Sequence, residues 1–151
     1  MKTLARQRET IEILERLEKL RPDSVRRWGK MSSHQMVCHL IDACRMMTGE
    51  KQVSRATGLA QQTIVKWMAL YLPLPWPAGI ITSPEIDQLI EGRKPIDFAS
   101  DIRDLETLVK AIPAQSKDFQ RTHPIFGRMS QSAWLRWAYL HTDHHLRQFG
   151  V

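Results

Sequence analysis

Apolar residues recur every three or four positions along most of this chain, which is the spacing of one face of an α-helix. The first such stretch has a single apolar stripe beneath a face of arginine and glutamate, and the stripe consists of Leu4, Ile11, Leu14 and Leu17. The pattern predicts helices over residues 3–20, 32–48, 56–72, 101–112 and 130–149. No segment alternates apolar and polar residues with β-branched or aromatic enrichment, so we predict no strand.

Residues at the predicted helix ends agree with this division of the chain. Ser32 followed by Gln35 has the spacing of a capping box, and Gly49 is a typical residue just beyond a helix end. Pro113 follows the fourth helix. The proline- and glycine-rich residues 72–98 predict a long connection with at most one short helical turn. The fold class that follows is all-α, a four-helix bundle with one long crossover connection.

Length and composition indicate an ordinary globular protein. The chain has 151 residues, of which 42% are hydrophobic and 25% charged, and we predict one domain over residues 1–151. The charged first residues do not resemble a secretory signal, and the two cysteines, Cys38 and Cys44, match no disulfide scaffold. We therefore expect a cytoplasmic protein. Prolines interrupt the uncharged residues 67–84, so we expect no membrane span.

The net charge of +6 is unevenly distributed. Residues 1–31 contain nine basic and five acidic residues, whereas residues 84–107 contain three basic and seven acidic ones. No uniform basic face emerges, and we expect no nucleic-acid partner. A competing hypothesis is a helix-turn-helix DNA-binding module around residues 53–66, where a glycine lies between apolar positions at suitable spacing.

The predicted helix over residues 32–48 carries two histidines on different faces. At 100° per residue, His39 lies inside the apolar stripe. His34 lies on the polar flank together with Cys38, and we predict that His34 points to solvent.

The last predicted helix directs two histidines inward from the same face. His141 and His145 are one turn apart, a spacing that lets two imidazoles share one metal ion. Burying an imidazole is costly unless its nitrogens find partners, and a divalent ion supplies a strong one. Each histidine singly is explained by ordinary hydrogen bonding in a core. For His39, His141 and His145 together we predict one shared metal site.

Three further residues are candidates for supporting this site rather than binding the ion. His144 lies at the edge of the apolar face, and Gln148 lies one turn past His145 on the same face. His123 precedes the last helix, where it either lines the pocket or serves only as a turn residue before Pro124. Gln148 either orients a bound water or substrate or makes a simple hydrogen bond at the edge of the core.

Several motifs together resemble the DinB/YfiT-like superfamily of four-helix-bundle metalloenzymes, and within it a branch of unknown function. These motifs are residues 28–32 (WGKMS), 35–40 (QMVCHL), 82–85 (TSPE), 95–98 (PIDF), 123–127 (HPIFG) and 141–149 (HTDHHLRQF). The resemblance covers nearly the whole chain. It implies a divalent metal ion, nickel or zinc, held by His39, His141 and His145. It also implies a homodimer. Characterised members of the superfamily use low-molecular-weight thiols such as bacillithiol or mycothiol, so the resemblance implies such a thiol as a possible cosubstrate.

The leading hypothesis is a metal-dependent enzyme. Three histidine ligands leave a coordination position open, at which water or a low-molecular-weight thiol becomes a nucleophile for hydrolysis or transfer of a small-molecule substrate. No general base other than His144 is evident on the inward face. The alternative is a non-catalytic bundle that only binds metal.

Overall fold

The computed structural model describes residues 1–55, 58–80, 82–115 and 122–151, and the chain in these ranges is mostly helical. The α-helices are α1 (Gln7–Leu17), α2 (Ser33–Thr48), α3 (Lys66–Tyr71), α4 (Phe98–Gln115) and α5 (Gln131–Gln148). A π-helical turn, Gln61–Val65, leads into α3, and a short 3-10 turn forms at Pro84–Ile86. The all-α prediction therefore holds in outline.

The ends of α2 follow the sequence signals. The Ser32 side chain accepts the backbone N–H of Gln35 at 3.2 Å, and the Gln35 side chain accepts the backbone N–H of Ser32 at 2.8 Å. At the other end, Gly49 has a φ of 80°, the left-handed conformation that favours glycine. These two ends fix the register of the helix that carries His39.

The first helix is shorter than predicted, and its buried stripe differs from the prediction. Leu4 is buried, but it precedes α1 and donates its backbone N–H to the carbonyl of Leu135. Ile11 is 46% exposed, while Ile13 is completely buried. The predicted stripe was wrong at Ile11 because it extended the helical register back to Leu4, which the helix does not include.

The fourth helix continues past the proline that was expected to follow it. Pro113 lies inside α4, which ends at Gln115. Proline removes only one intrahelical hydrogen bond at this position, close to the helix end. Ile112, the residue before it, is completely buried. Packing of this last turn against the core outweighs the local cost.

Contrary to prediction, the described residues include a small antiparallel pair of strands, β1 (Thr122–His123) and β2 (Gly127–Arg128). Thr122 pairs with Arg128, and His123 pairs with Gly127. Strands of two residues are too short to show a period of two along the sequence. The pair delivers the chain to Ser130, whose hydroxyl accepts the N–H of Ala133 at the start of α5.

The segment considered as a helix-turn-helix contains a single helix in its described part. Residues 53–55 are not helical, and one continuous helical stretch begins at Leu59 and runs into α3. Ala56 and Thr57, which the hypothesis and the predicted third helix include, lie outside the described residues. Leu59 and Ile64 are exposed apolar side chains here. This geometry gives no support to DNA recognition through residues 53–66.

The helices share one hydrophobic core. α2 contacts α4 and α5, and α1 contacts α4 and α5, while α3 packs against α5 and contributes the buried Leu70. The largest completely buried side chains come from several of these helices and include Ile13, Met36, Leu105, Trp134 and Tyr139. Within the described residues, no helix is both long and apolar enough to cross a bilayer.

Candidate metal centre

Two neighbouring helices bring the three predicted histidines together. His39 projects from α2, and His141 and His145 project from consecutive turns of α5. One ligand nitrogen from each lies within 4.8 Å of the others, and Nε2 of His39 is 3.2 Å from Nε2 of His141. His39 and His145 are buried, whereas His141 is only partly buried, so solvent reaches the cluster on its side.

A backbone carbonyl fixes the tautomer of His39. Its Nδ1 lies 2.8 Å from the carbonyl oxygen of Ile86. Because a carbonyl oxygen can only accept, Nδ1 must carry the hydrogen and donate it. In the neutral ring, Nε2 is then the nitrogen with the free lone pair, and it faces His141. The 3-10 turn at Pro84–Ile86 thus orients a histidine on α2.

Gln148 fixes the tautomer of His145 in the same way. The Nε2 amide of Gln148 donates to the carbonyl oxygen of Trp28 at 2.8 Å, which leaves its Oε1 as the acceptor for Nδ1 of His145 at 3.0 Å. The remaining nitrogen of the neutral His145 ring, Nε2, therefore carries a lone pair. Gln148 is almost completely buried. Two roles were predicted for Gln148: to orient a bound water or substrate, or to make a hydrogen bond at the edge of the core. The described contacts are of the second kind, with a histidine and with the backbone.

Gly29 makes the close approach of Gln148 possible. Its φ is 79°, and a Cβ at this position would lie 2.5 Å from the amide nitrogen of Gln148. Any other residue would meet both the left-handed backbone penalty and this contact. The chain therefore needs glycine after Trp28 to hold the amide against His145.

The donor set fits a divalent ion. Ligand nitrogens about 2.0–2.1 Å from a tetrahedral zinc ion lie about 3.4 Å apart, which is close to the 3.2 Å between His39 and His141. Hydrogen bonds from the opposite ring nitrogen to a carbonyl or amide oxygen are what metal-binding histidines make in proteins. Nickel and zinc are both suited to imidazole ligands.

The surroundings keep the three imidazoles neutral, the form that binds metal. Burial lowers the pKa of His39, of His141 and of His145. Proximity to the other histidines lowers the pKa of His141 and His145 further, because a second positive charge nearby is unfavourable. At neutral pH, all three rings can present a lone pair.

The neighbouring histidines occupy different environments. His144 is buried, with its ring centroid 5.2 Å from that of His145 and 5.7 Å from that of Trp28. His123 is also buried, and its Nδ1 accepts the backbone N–H groups of Ile125 and Phe126, both at 3.1 Å. His123 is thus a turn-stabilising residue, one of the two roles considered for it.

Aromatic rings connect His123 to the histidine cluster. The Trp137 ring stacks on His141 with centroids 4.7 Å apart and 13° between planes, and its other neighbours include His123 at 4.9 Å. Trp76, which the sequence analysis did not single out, lies 6.2 Å from His141 and 6.1 Å from His144. The sequence feature that could have pointed to Trp76 is its position as a large aromatic residue within the proline-rich connection.

The prediction that His34 points to solvent was wrong, because its ring is only partly exposed and is paired with a carboxylate. Nε2 of His34 lies 2.7 Å from Oδ2 of Asp101, and Cys38 on the same flank is completely buried. This flank of α2 faces α4 rather than solvent. The helical wheel assigned it to solvent because its residues are polar, whereas the tertiary structure pairs them with a carboxylate on another helix.

Comparison with known proteins identifies one family. The family model of a protein of unknown function, DUF1569, matches residues 6–150. No curated protein and no solved structure matches the chain.

Proposed function

The chain belongs to the DUF1569 family, and from the geometry of its histidine cluster we propose that it is a metal-dependent enzyme of the DinB/YfiT-like type. The observation that carries the proposal is the convergence of His39, His141 and His145, with the first and last oriented by hydrogen bonds at Nδ1. One divalent ion, nickel or zinc, would be held by these three residues.

The arrangement of the helices supports the proposed relationship. The pairwise packing of α1, α2, α4 and α5 fits a four-helix bundle, in which the long crossover would lie between α2 and α4. Metal sites in such bundles are built from side chains of facing helices in the core. The histidines on α2 and α5 have this position.

Each neighbouring residue has a defined task in the proposed site. The Ile86 carbonyl and Gln148 hold the rings of His39 and His145, and Trp137 stacks on His141 to limit its rotation. A bound divalent ion would acidify a water or a low-molecular-weight thiol that completes its coordination, which supplies a nucleophile near neutral pH.

In the proposed site, residues next to the three-histidine cluster bind the substrate and transfer a proton. The rings of Trp28 and Trp76 flank His144 and offer apolar surface to a small-molecule substrate. Burial lowers the pKa of His144, so its ring is neutral at physiological pH and able to accept a proton. His144 is therefore the residue that we propose to move a proton during hydrolysis or transfer.

The homodimer implied by the resemblance is supported by an exposed apolar face. Four side chains at helical spacing are each more than 40% exposed on the outer side of the π-helical turn and α3: Ile64, Trp67, Met68 and Tyr71. Contiguous apolar surface of this kind is typical of an interaction site. We propose that two copies of the chain associate through this face.

The test begins with the metal content of full-length protein purified without a histidine tag. Metal-loaded protein is then assayed with a chlorodinitrobenzene electrophile, with and without a low-molecular-weight thiol, and with a nitrophenyl ester. Thiol-dependent product that requires His39 supports transfer, and ester cleavage without thiol supports hydrolysis. Metal without turnover supports the non-catalytic alternative, and protein that binds no divalent metal contradicts both hypotheses.

A cytoplasmic location is part of the same proposal.

A further inference from the structure

A second group of metal-ligating side chains lies on the flank of α2 that faces α4. His34 and Cys38 are one helical turn apart on α2, and Asp101 belongs to the first turn of α4. A ligand atom from each lies within 4.8 Å of the other two. Oδ2 of Asp101 lies 2.7 Å from Nε2 of His34 and 3.6 Å from Sγ of Cys38.

Charged neighbours orient the carboxylate of Asp101. The Arg93 guanidinium binds the other oxygen, Oδ1, at 2.5 Å, so Oδ2 is the oxygen directed at His34 and Cys38. Asp42 lies on the same side of α2, where it is paired with Lys51 and accepts the backbone N–H of Arg93. A ligating carboxylate whose second oxygen is hydrogen-bonded is the usual arrangement at metal sites.

The same three residues do not fit a nucleophilic cysteine. The nearest titratable partner of the Cys38 thiol is a carboxylate rather than an imidazole, and the residue is completely buried. A completely buried thiol beside a carboxylate is not placed for nucleophilic attack, whereas a cation at this point would be a favourable partner for its sulfur.

We propose that His34, Cys38 and Asp101 form a second divalent-metal site, suited to zinc. Thiolate, imidazole and carboxylate are all zinc ligands. Tetrahedral zinc sets its sulfur and oxygen ligands about 3.5 Å apart, close to the 3.6 Å between Cys38 and Asp101. Nitrogen and oxygen ligands lie about 3.3 Å apart, so the partly exposed His34 ring must move outward by about 0.6 Å from its 2.7 Å contact.

This site uses none of the residues of the three-histidine cluster, so it goes beyond the proposed function and does not depend on it. Cys38 and His39 are adjacent in sequence but lie about 100° apart around α2. The helix would therefore carry one metal site on each of two flanks, one completed by α5 and the other by α4. Binding at the second site would join α2 to α4.

Cobalt binding to the full-length protein distinguishes the two sites. Cobalt bound to a thiolate gives a sulfur-to-cobalt charge-transfer absorption in the near ultraviolet, which a site of three histidines cannot give. We expect this absorption in the unmodified protein and in His141→Ala, which disrupts only the three-histidine cluster. We also expect it in Cys44→Ser, the matched control, because Cys44 is a buried free cysteine on the same helix outside the proposed site.

Cys38→Ser should abolish the absorption and lower zinc binding by about one equivalent per chain. His34→Ala, at a partly exposed position, should weaken cobalt binding at the second site by at least about 10-fold. If circular dichroism shows that Cys38→Ser is unfolded, the result for His34→Ala decides the test. The proposal is overturned if the unmodified protein gives no charge-transfer absorption, if the absorption persists in Cys38→Ser, or if His34→Ala leaves the affinity unchanged. Loss of the absorption in His141→Ala would also overturn it, since Cys38 would then serve the three-histidine cluster. Cobalt that binds without giving the absorption would be bound by the three-histidine cluster alone. The experiment can therefore contradict either proposal without contradicting the other.

Discussion

The Nε2 atoms of His39 and His141 lie 3.2 Å apart, although 102 positions separate the two residues in the chain. Since Nδ1 of His39 donates to a carbonyl, its Nε2 offers a lone pair, and Nε2 of His145 offers another for the same reason. A single proton on His141 can serve only one of these lone pairs, whereas a divalent cation accepts all three nitrogens.

His39→Ala should remove the metal bound by the three-histidine cluster. The substitution deletes the one residue that α2 would contribute to this cluster, so we expect the affinity of this site to fall by more than the roughly 100-fold typical for loss of a supporting residue. Isothermal titration with zinc, together with elemental analysis, measures the effect. His144→Ala is the control, because this neighbouring buried histidine lies outside the three ligands and its loss should leave the stoichiometry unchanged. Full occupancy of the cluster in His39→Ala would refute the assignment.

Gln148→Leu should weaken metal binding without removing a ligand. The leucine has no acceptor for Nδ1 of His145, so the tautomer with a lone pair on Nε2 loses its support, and we expect a decrease of about 10–100-fold in affinity. Gln148→Glu retains an acceptor oxygen and should bind metal more tightly than Gln148→Leu. Equal affinities in the two variants would show that the hydrogen bond to His145 has no part in binding.

His123 should make the protein less stable as the pH falls. Burial lowers its pKa to about 3 from an ordinary value of 6.5. Between these values the unfolded chain takes up a proton that the folded chain excludes, so the free energy of unfolding decreases as the pH falls through this window. The contribution of one such group is at most about 1.4 kcal/mol per pH unit.

The matched variant for this pH dependence is His123→Asn. Its amide oxygen can accept the N–H groups of Ile125 and Phe126, but it does not titrate. Urea unfolding measures the free energy of unfolding between pH 7 and pH 4. Plotted against pH, this free energy should decrease less steeply in His123→Asn, by the slope that corresponds to about one proton. The other histidines contribute equally to both proteins, so identical slopes would mean that His123 titrates normally.

Charges on the exposed apolar face should convert the proposed dimer to a monomer. In a symmetric interface each substitution occurs twice, so Trp67→Glu combined with Met68→Glu introduces four carboxylates into apolar surface. Size-exclusion chromatography with light scattering should give twice 17.6 kDa for the unmodified chain and 17.6 kDa for the double variant. Leu89→Glu, at an exposed position outside α3, should remain dimeric. A monomeric unmodified protein would contradict the proposal.

The sequence predicted well the features that depend on residues close together in the chain. The capping box at Ser32 and Gln35, the end of α2 at Gly49 and the bounds of α5 all follow from hydrogen bonds and dihedral preferences within a few residues. The inward positions of His39, His141 and His145 follow from the period of the helix, and the structure brings these three residues together. That they bind metal remains a prediction.

Contacts between distant segments decided the rest. Nothing in the local pattern could show that the Ile86 carbonyl meets His39, that Trp28 meets Gln148, or that the polar flank with His34 packs on Asp101 instead of facing water. A helical period specifies the direction of a side chain from its own axis, but not which element lies in that direction. The sequence by itself therefore determined that the chain is mostly helical and which histidines face inward. The tertiary structure determined the partners that orient those side chains, because burial and hydrogen bonding depend on which elements pack together.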